Sequence, residues 1–243
     1  MAGSRGDDAR RAPAAGTDLS SGPTPTPTPA VRRWPAPDTE PALVLVRHGE
    51  TEWSRTGQHT GNTDIPLTER GEQQARTAGP LIRAMLGAAE PALVLSSPRR
   101  RAWHTAELAG FAVDDTAADA AEWDYGELEG RTSAEIRQHW PDWSVWSGPI
   151  PGGEDAAAVT VRFDRLLGSI TSRLAAADES GPVLVFSHGH AIRCLAARWL
   201  GEPVTAGRRL WLSTGAVCSL GYEHGQPAVL HWNLDSELAG AGR

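Results

Sequence analysis

Two apolar runs, far apart in the chain, end in the same way. Leu43-Val44-Leu45-Val46 passes directly into Arg47-His48-Gly49-Glu50-Thr51, and Val183-Leu184-Val185-Phe186 passes into Ser187-His188-Gly189-His190. Short apolar runs without alternation read as strands buried on both faces, the habit of parallel sheets covered by helices. Each run therefore delivers a histidine to the C-terminal end of an interior strand. In open α/β sheets, ligands bind outside the carboxyl ends of the strands. One site built from both runs follows. Arg47 beside the first histidine points to an anionic ligand, because the guanidinium fork matches phosphate oxygens. The chemistry implied is phosphoryl transfer on a histidine.

The remaining pattern supplies the scaffold. Ala42–Val46, Ala92–Leu95 and Val183–Phe186 read as interior strands, and Val217–Tyr222 and Ala228–Trp232 as a pair joined by a turn around His224-Gly225-Gln226. A helix opens after Thr68, a plausible N-cap ahead of Glu69 and Glu72, and runs towards Gly87, with Pro80 expected to kink or break it. Pro98 is placed for the first turn of a helix reaching Ala109. Asp155–Ala177 and Ala191–Leu200 read as helices, and the Trp-rich stretch 114–150 as irregular, with a short helix at Ser133–His139. Strands alternating with helices give a three-layer α/β/α sandwich with a mostly parallel central sheet. Residues 1–38 carry Pro-Thr alternation and few apolar residues, which reads as a disordered tail ahead of a domain spanning 39–243.

Composition excludes several chemistries. The 23 basic residues are all arginine, so neither a P-loop lysine nor a Schiff-base lysine is available. The formal charge of -7 argues against nucleic acid as a partner. Cys194 and Cys218 lie in apolar contexts outside any metal-ligand spacing, so free buried thiols and no metal site are expected. No run is long and apolar enough for a membrane span, and no apolar h-region follows Arg5, Arg10 and Arg11, which points to a cytoplasmic protein.

Five ordered blocks carry a more specific signal. They are Arg47-His48-Gly49-Glu50-Thr51-Glu52-Trp53 with Thr60-Gly61, Asp64, Pro66-Leu67-Thr68 and Gly71; Ser96-Ser97-Pro98-Arg99-Arg100-Arg101-Ala102 with Thr105-Ala106; Glu122-Trp123-Asp124-Tyr125-Gly126 with Glu129-Gly130; Gly152-Gly153-Glu154; and Ser187-His188-Gly189. Together they resemble the histidine phosphatase superfamily, whose fold is phosphoglycerate-mutase-like, over residues 42 to about 232. The resemblance implies that His48 is the nucleophile, kept neutral by nearby arginines. It implies that Arg47 and Arg101 clamp the phosphate. His188 then hydrogen-bonds the phosphoryl oxygens and, as a cation, stabilises the transition state. Gly189 lets a helix N-terminus approach the anion. Glu122 matches the general acid, its carboxyl helped towards the protonated form by Trp123 and Tyr125, with Asp124 a lower-ranked rival.

Many family members carry Asn where this chain has Ser54, so His59 and Thr60 are expected to supply the missing phosphate contacts. Arg100 reads as solvated, Arg99 as able to face an anionic substrate tail, and His190 as an ordinary helix-start residue. Trp123, Trp140, Trp143 and Trp146 read as packing, with one of them allowed at the pocket rim.

The resemblance thus implies a metal-independent, cofactor-free phosphomonoesterase acting on a small phosphorylated metabolite, with no role for nucleic acid or membrane. The blocks look most like the acid-phosphatase and sugar-bisphosphatase branches. Two alternatives share the residues: a phosphoglycerate mutase and a non-catalytic phospho-ligand binding module. Mutases carry extra basic residues, lysine included, in a longer insertion after the general-acid loop. Here that segment is the short Arg131–Pro151.

Overall fold

A computed structural model describes residues 40–176 and 181–235. The expected tail lies outside the described residues. Strands β1 (Leu43–Arg47), β2 (Leu93–Ser96), β3 (Asp115–Thr116), β4 (Val183–Ser187), β5 (Val217–Glu223) and β6 (Gln226–Leu234) form one sheet. Its order is β3-β2-β4-β1-β5-β6. The first four in that order are parallel, and β5 and β6 run antiparallel.

Register is what brings the two histidines together. Leu43 to Arg47 pair in step with Val183 to Ser187, so both strands end on the same line. The amide of His48 then donates to the carbonyl of Ser187 at 3.0 Å. On the other side of β4, the amide of Ser97 donates to the carbonyl of Phe186 at 2.9 Å. Three strand ends therefore share one edge, with His48, Ser97 and His188 as neighbours.

The period-2 alternation of the strands splits the core into two layers. Leu43, Leu45, Val183 and Val185 pack with α5 (Ala156–Ala176) and α6 (Gly189–Trp199). Val44, Val46, Leu184 and Phe186 pack with α2 (Glu69–Leu86) and α3 (Arg100–Leu108). All eight strand residues are fully buried, which explains why the runs are apolar throughout. The expected three-layer sandwich is the one observed.

Local departures have physical reasons. The helix after Thr68 starts as expected, with the Thr68 side chain accepting from the Gly71 amide, yet it runs unbroken through Pro80. Pro80 is exposed, so the carbonyl it strands meets solvent. Pro98 precedes the N-cap residue Arg99 and stands outside the first turn of α3. The polar loop after β1 holds a short helix, α1 (Glu52–Thr56), closed by a capping box between Thr51 and Ser54. A second five-residue helix, α4 (Ser133–Arg137), lies in the Trp-rich stretch.

Gly49 is required by packing. A Cβ there would lie 2.1 Å from the Gly71 carbonyl oxygen, and one on Gly71 would lie 2.0 Å from that of Glu50. The loop leaving β1 is thus pressed against the first turn of α2, which fixes the backbone on both sides of His48.

Candidate active site

A cavity of about 250 Å3 opens at the carboxyl ends of β1 and β4, with Arg47, His48, Glu122 and Gly189 in its walls. Among the described residues, no group of His, Cys, Asp and Glu side chains is arranged to hold a metal ion.

His48 is 5 % exposed, and its Nδ1 lies 2.7 Å from the Gly49 carbonyl oxygen. A carbonyl only accepts, so Nδ1 carries the proton and Nε2 keeps its lone pair. Burial, then the charges of Arg101 and Arg47, hold the ring well below the ordinary histidine range. The ring is neutral without any neighbouring base.

The two arginines do different things. Arg47 lies on the cavity wall; its Nη1 donates to the Leu212 carbonyl at 2.6 Å, and its buried Nε has no protein partner. Gly189 allows this placement, because a Cβ there would meet Arg47 Cζ at 3.2 Å. Arg101 is fully buried and off the wall. Its guanidinium donates to the carbonyls of Thr63, Thr60 and Gly61 and, through Nε, to His188. Its charge acts on His48 while its guanidinium is tied to these protein partners.

His188 also departs from expectation. Nδ1 accepts from Arg101 at 3.1 Å, and Nε2 lies 2.7 Å from Ser97 Oγ. Arginine has no lone pair to offer, so Nδ1 is unprotonated and Nε2 bears the hydrogen. Burial and Arg101 hold the ring well below its ordinary range. His188 is therefore neutral, and both its nitrogens are engaged by the protein. Its ring sits edge-on to His48 with centroids 5.1 Å apart.

Glu122 takes the helix N-terminus for itself. Its carboxylate accepts from the amides of Trp123, His190 and Ala191 at 2.9, 3.0 and 2.8 Å. The first-turn amides of α6 are thus directed at Glu122, not left open for an anion as the position of Gly189 had implied. Trp123 and Tyr125 do not surround the carboxyl with apolar surface alone; backbone donors face it. Asp124 is off the cavity wall, its Oδ1 accepting from the Gly126 amide at 2.9 Å in a turn.

Ser54, His59 and Thr60 all line the cavity, each held by the protein. Ser54 serves the α1 capping box. His59 Nε2 lies 3.1 Å from Ser133 Oγ, and burial lowers its pKa to about 4. The Thr60 hydroxyl donates to the Gln58 carbonyl at 3.1 Å. Arg99 reaches the side chain of Asn62 and is off the wall, while Arg100 is exposed.

Several wall residues were not anticipated in this role, among them Tyr125, His190, Arg193 and Trp211. His190 is no ordinary helix-start residue: its Nδ1 meets the Tyr125 hydroxyl at 2.6 Å. Burial keeps that phenol protonated and the imidazole neutral, so the hydroxyl donates. Arg193 follows one turn later on α6, on the same face as His190, a spacing from which it was readable. Trp211 comes from a distant loop and carried no sequence signal.

Of the tryptophans singled out, Trp123 and Trp143 are 1 % and 2 % exposed, and their indoles donate to the carbonyls of Glu154 and Pro149. Trp146 backs the wall, with the Arg193 guanidinium 4.7 Å over its ring and His190 edge-on at 5.1 Å. The expected packing role holds for these three, but Trp140 is exposed and none of the four lines the cavity; the tryptophan on its wall is Trp211.

The family profile of the histidine phosphatase superfamily (branch 1) matches residues 43–235. The chain belongs to the histidine phosphatase superfamily. It is 42% identical over 190 residues to an acid phosphatase of Mycobacterium tuberculosis, covering 77% of this chain and 91% of that one. It is 34% identical over 191 residues to sedoheptulose 1,7-bisphosphatase of Saccharomyces cerevisiae, covering 68% and 69%. A probable phosphoglycerate mutase of Salmonella paratyphi C is also 34% identical, over 203 residues, covering 80% and 91%. A solved structure from Mycobacterium tuberculosis matches with a TM-score of 0.74 at 40% identity, covering 79% of this chain and 97% of that one. No described helix is long and apolar enough to cross a membrane.

Proposed function

We propose that this protein is a metal-independent phosphomonoesterase hydrolysing small phosphorylated metabolites through a phosphohistidine on His48. The observation that carries the proposal is the Gly49 carbonyl on His48 Nδ1, which leaves Nε2 as a lone pair beside the cavity. In the first step Nε2 attacks phosphorus, an N–P bond forms and the P–O bond to the leaving group breaks. Glu122 gives its proton to the departing oxygen. In the second step water attacks phosphorus, gives its proton back to Glu122, and the N–P bond breaks to release phosphate and neutral His48.

Positive charge comes from arginine. Arg47 offers its unpartnered Nε to the phosphoryl oxygens. Arg101 and His188 act as positioning residues, with Ser97 between them and the strand end. Gly189, Ser54, His59 and Thr60 shape the wall around the phosphoryl group. The names of the acid phosphatase and bisphosphatase relatives support hydrolysis. The mutase alternative is less favoured, since no lysine is available to hold a substrate carboxylate or retain a bisphosphate. Neither nucleic acid nor membrane enters this reading. The buried free thiols Cys194 and Cys218 support a cytoplasmic setting, and the catalytic unit begins at about residue 39.

Phosphate release over a panel of sugar phosphates, phosphoglycerates and aryl phosphates, with mutase activity assayed in parallel, tests the proposal. Phosphate release without isomerisation is expected. Isomerisation exceeding hydrolysis would assign the protein to the mutases.

A further inference from the structure

Trp211 is 74% exposed, the most exposed of the large hydrophobic side chains described. A single exposed indole on a surface normally needs no explanation. The backbone under this one is held at two points. Its carbonyl accepts from the Trp232 indole, and the next carbonyl, that of Leu212, accepts from Arg47 Nη1 at 2.6 Å. The backbone that carries the exposed ring is therefore tied to the guanidinium on the catalytic wall.

Trp211 also stands between two cavities. One is the His48 cavity; the other, about 260 Å3, lies beyond it. The two share Arg47, Ser54, Trp211 and Leu212. The second cavity has polar side chains from Gln74, Ser213 and Thr214 in its walls. The cavity at His48 is bounded by this shared wall, by His190 and Arg193, and by the stretch from Gly57 to Thr60. Trp211 is the aromatic residue that the two cavities share.

We infer that Trp211 is a stacking platform for substrates whose leaving group carries a flat ring close to the ester oxygen, with the second cavity taking the ring's polar substituents. This rests on the reading that the phosphoryl group binds at His48. Stacking removes apolar area from water on both rings. A ringless phosphomonoester gains none of this.

Equilibrium titration with two non-hydrolysable probes tests the inference apart from turnover: naphthylmethylphosphonate, which carries a ring, and methylphosphonate, which does not. Wild-type protein is expected to bind the ring-bearing probe about tenfold more tightly than the ringless one. Trp211→Ala should shrink that advantage to about threefold or less while methylphosphonate affinity stays the same. Trp211→Phe should keep most of it. An undiminished advantage in Trp211→Ala would overturn the platform. Equal loss for both probes would also overturn it, because Trp211 would then act only through Arg47. If the ring advantage behaves as expected but no phosphatase activity is found, the hydrolytic reading fails while the platform stands. If neither probe binds wild-type protein, the platform is refuted along with the phosphate site.

Discussion

Arg101 Nε donates to His188 Nδ1 at 3.1 Å, so the second histidine sits in the fold as a neutral acceptor and not as a cation. The positive charge of the site then belongs to arginine alone. Arg101 is itself fixed by the carbonyls of Thr60, Gly61 and Thr63, and the loop holding those carbonyls is thereby locked to the strand end. His188 orients a charge that lowers the proton affinity of His48.

The first expectation concerns the acid limb of kcat/KM. The reactive form of His48 is neutral, and its pKa is held well below 6.5 by burial, Arg101 and Arg47. Activity should therefore persist below pH 6 and fall only as pH drops through that lowered value. Arg101→Gln removes one of the lowering charges, so the limb should move up by roughly one unit. A pH–rate profile on the folded variant checks the shift; an unmoved limb would mean that His48 is not the titrating group.

Glu122→Gln keeps size and hydrogen bonding but cannot protonate a leaving group. Turnover of alkyl phosphates, such as sugar phosphates, should fall by ~10²–10⁴-fold, and that of aryl phosphates with good leaving groups much less. Parallel losses on both substrate types would remove Glu122 from the acid role.

Stability should share the pH dependence. His48, His59, His188 and His190 are all shifted downward, chiefly by burial, with His59 brought to about 4. Unfolding returns each to about 6.5, so the unfolded chain binds more protons between those values. Stability is full above the unfolded value and is lost as pH falls towards the folded one. His59→Asn should remove roughly 2 kcal/mol of the loss between pH 7 and pH 4. Thermal melts at the two pH values measure it, and an unchanged difference would contradict the assignment.

Gly49→Ala should destabilise by ~1–3 kcal/mol, since its Cβ would collide with the Gly71 carbonyl. Chemical denaturation gives the value. Activity should fall too, because the His48 backbone moves with the loop. A variant as stable as the parent would show that the contact is slack.

Some of this was legible in the chain. The strands β1, β2 and β4 could be read because they are apolar up to their last residue, as burial on both faces requires. The edge strand β3 is two exposed residues and has no such mark. The parallel register of β1 and β4 turns two distant Arg-His-Gly and Ser-His-Gly strings into neighbours, so His48, His188 and Arg47 were foreseeable. What Arg101, His188 and Gly189 actually touch was not, because sequence motifs carry no hydrogen-bond partners. The use of the α6 amides by Glu122 depends on how residues about seventy positions apart meet. Trp211 was illegible for the same reason: its place is set by the bond from Arg47 to Leu212, 165 residues away.

In the proposed reaction His48 Nε2 carries the phosphoryl group. Rapid quenching in alkali during turnover of a labelled aryl phosphate, followed by peptide mapping, tests it most directly. Acid-labile, alkali-stable phosphate is expected on the peptide containing residue 48, and none in His48→Ala. Label absent from wild-type protein under single-turnover conditions, or still present in folded His48→Ala, would contradict it.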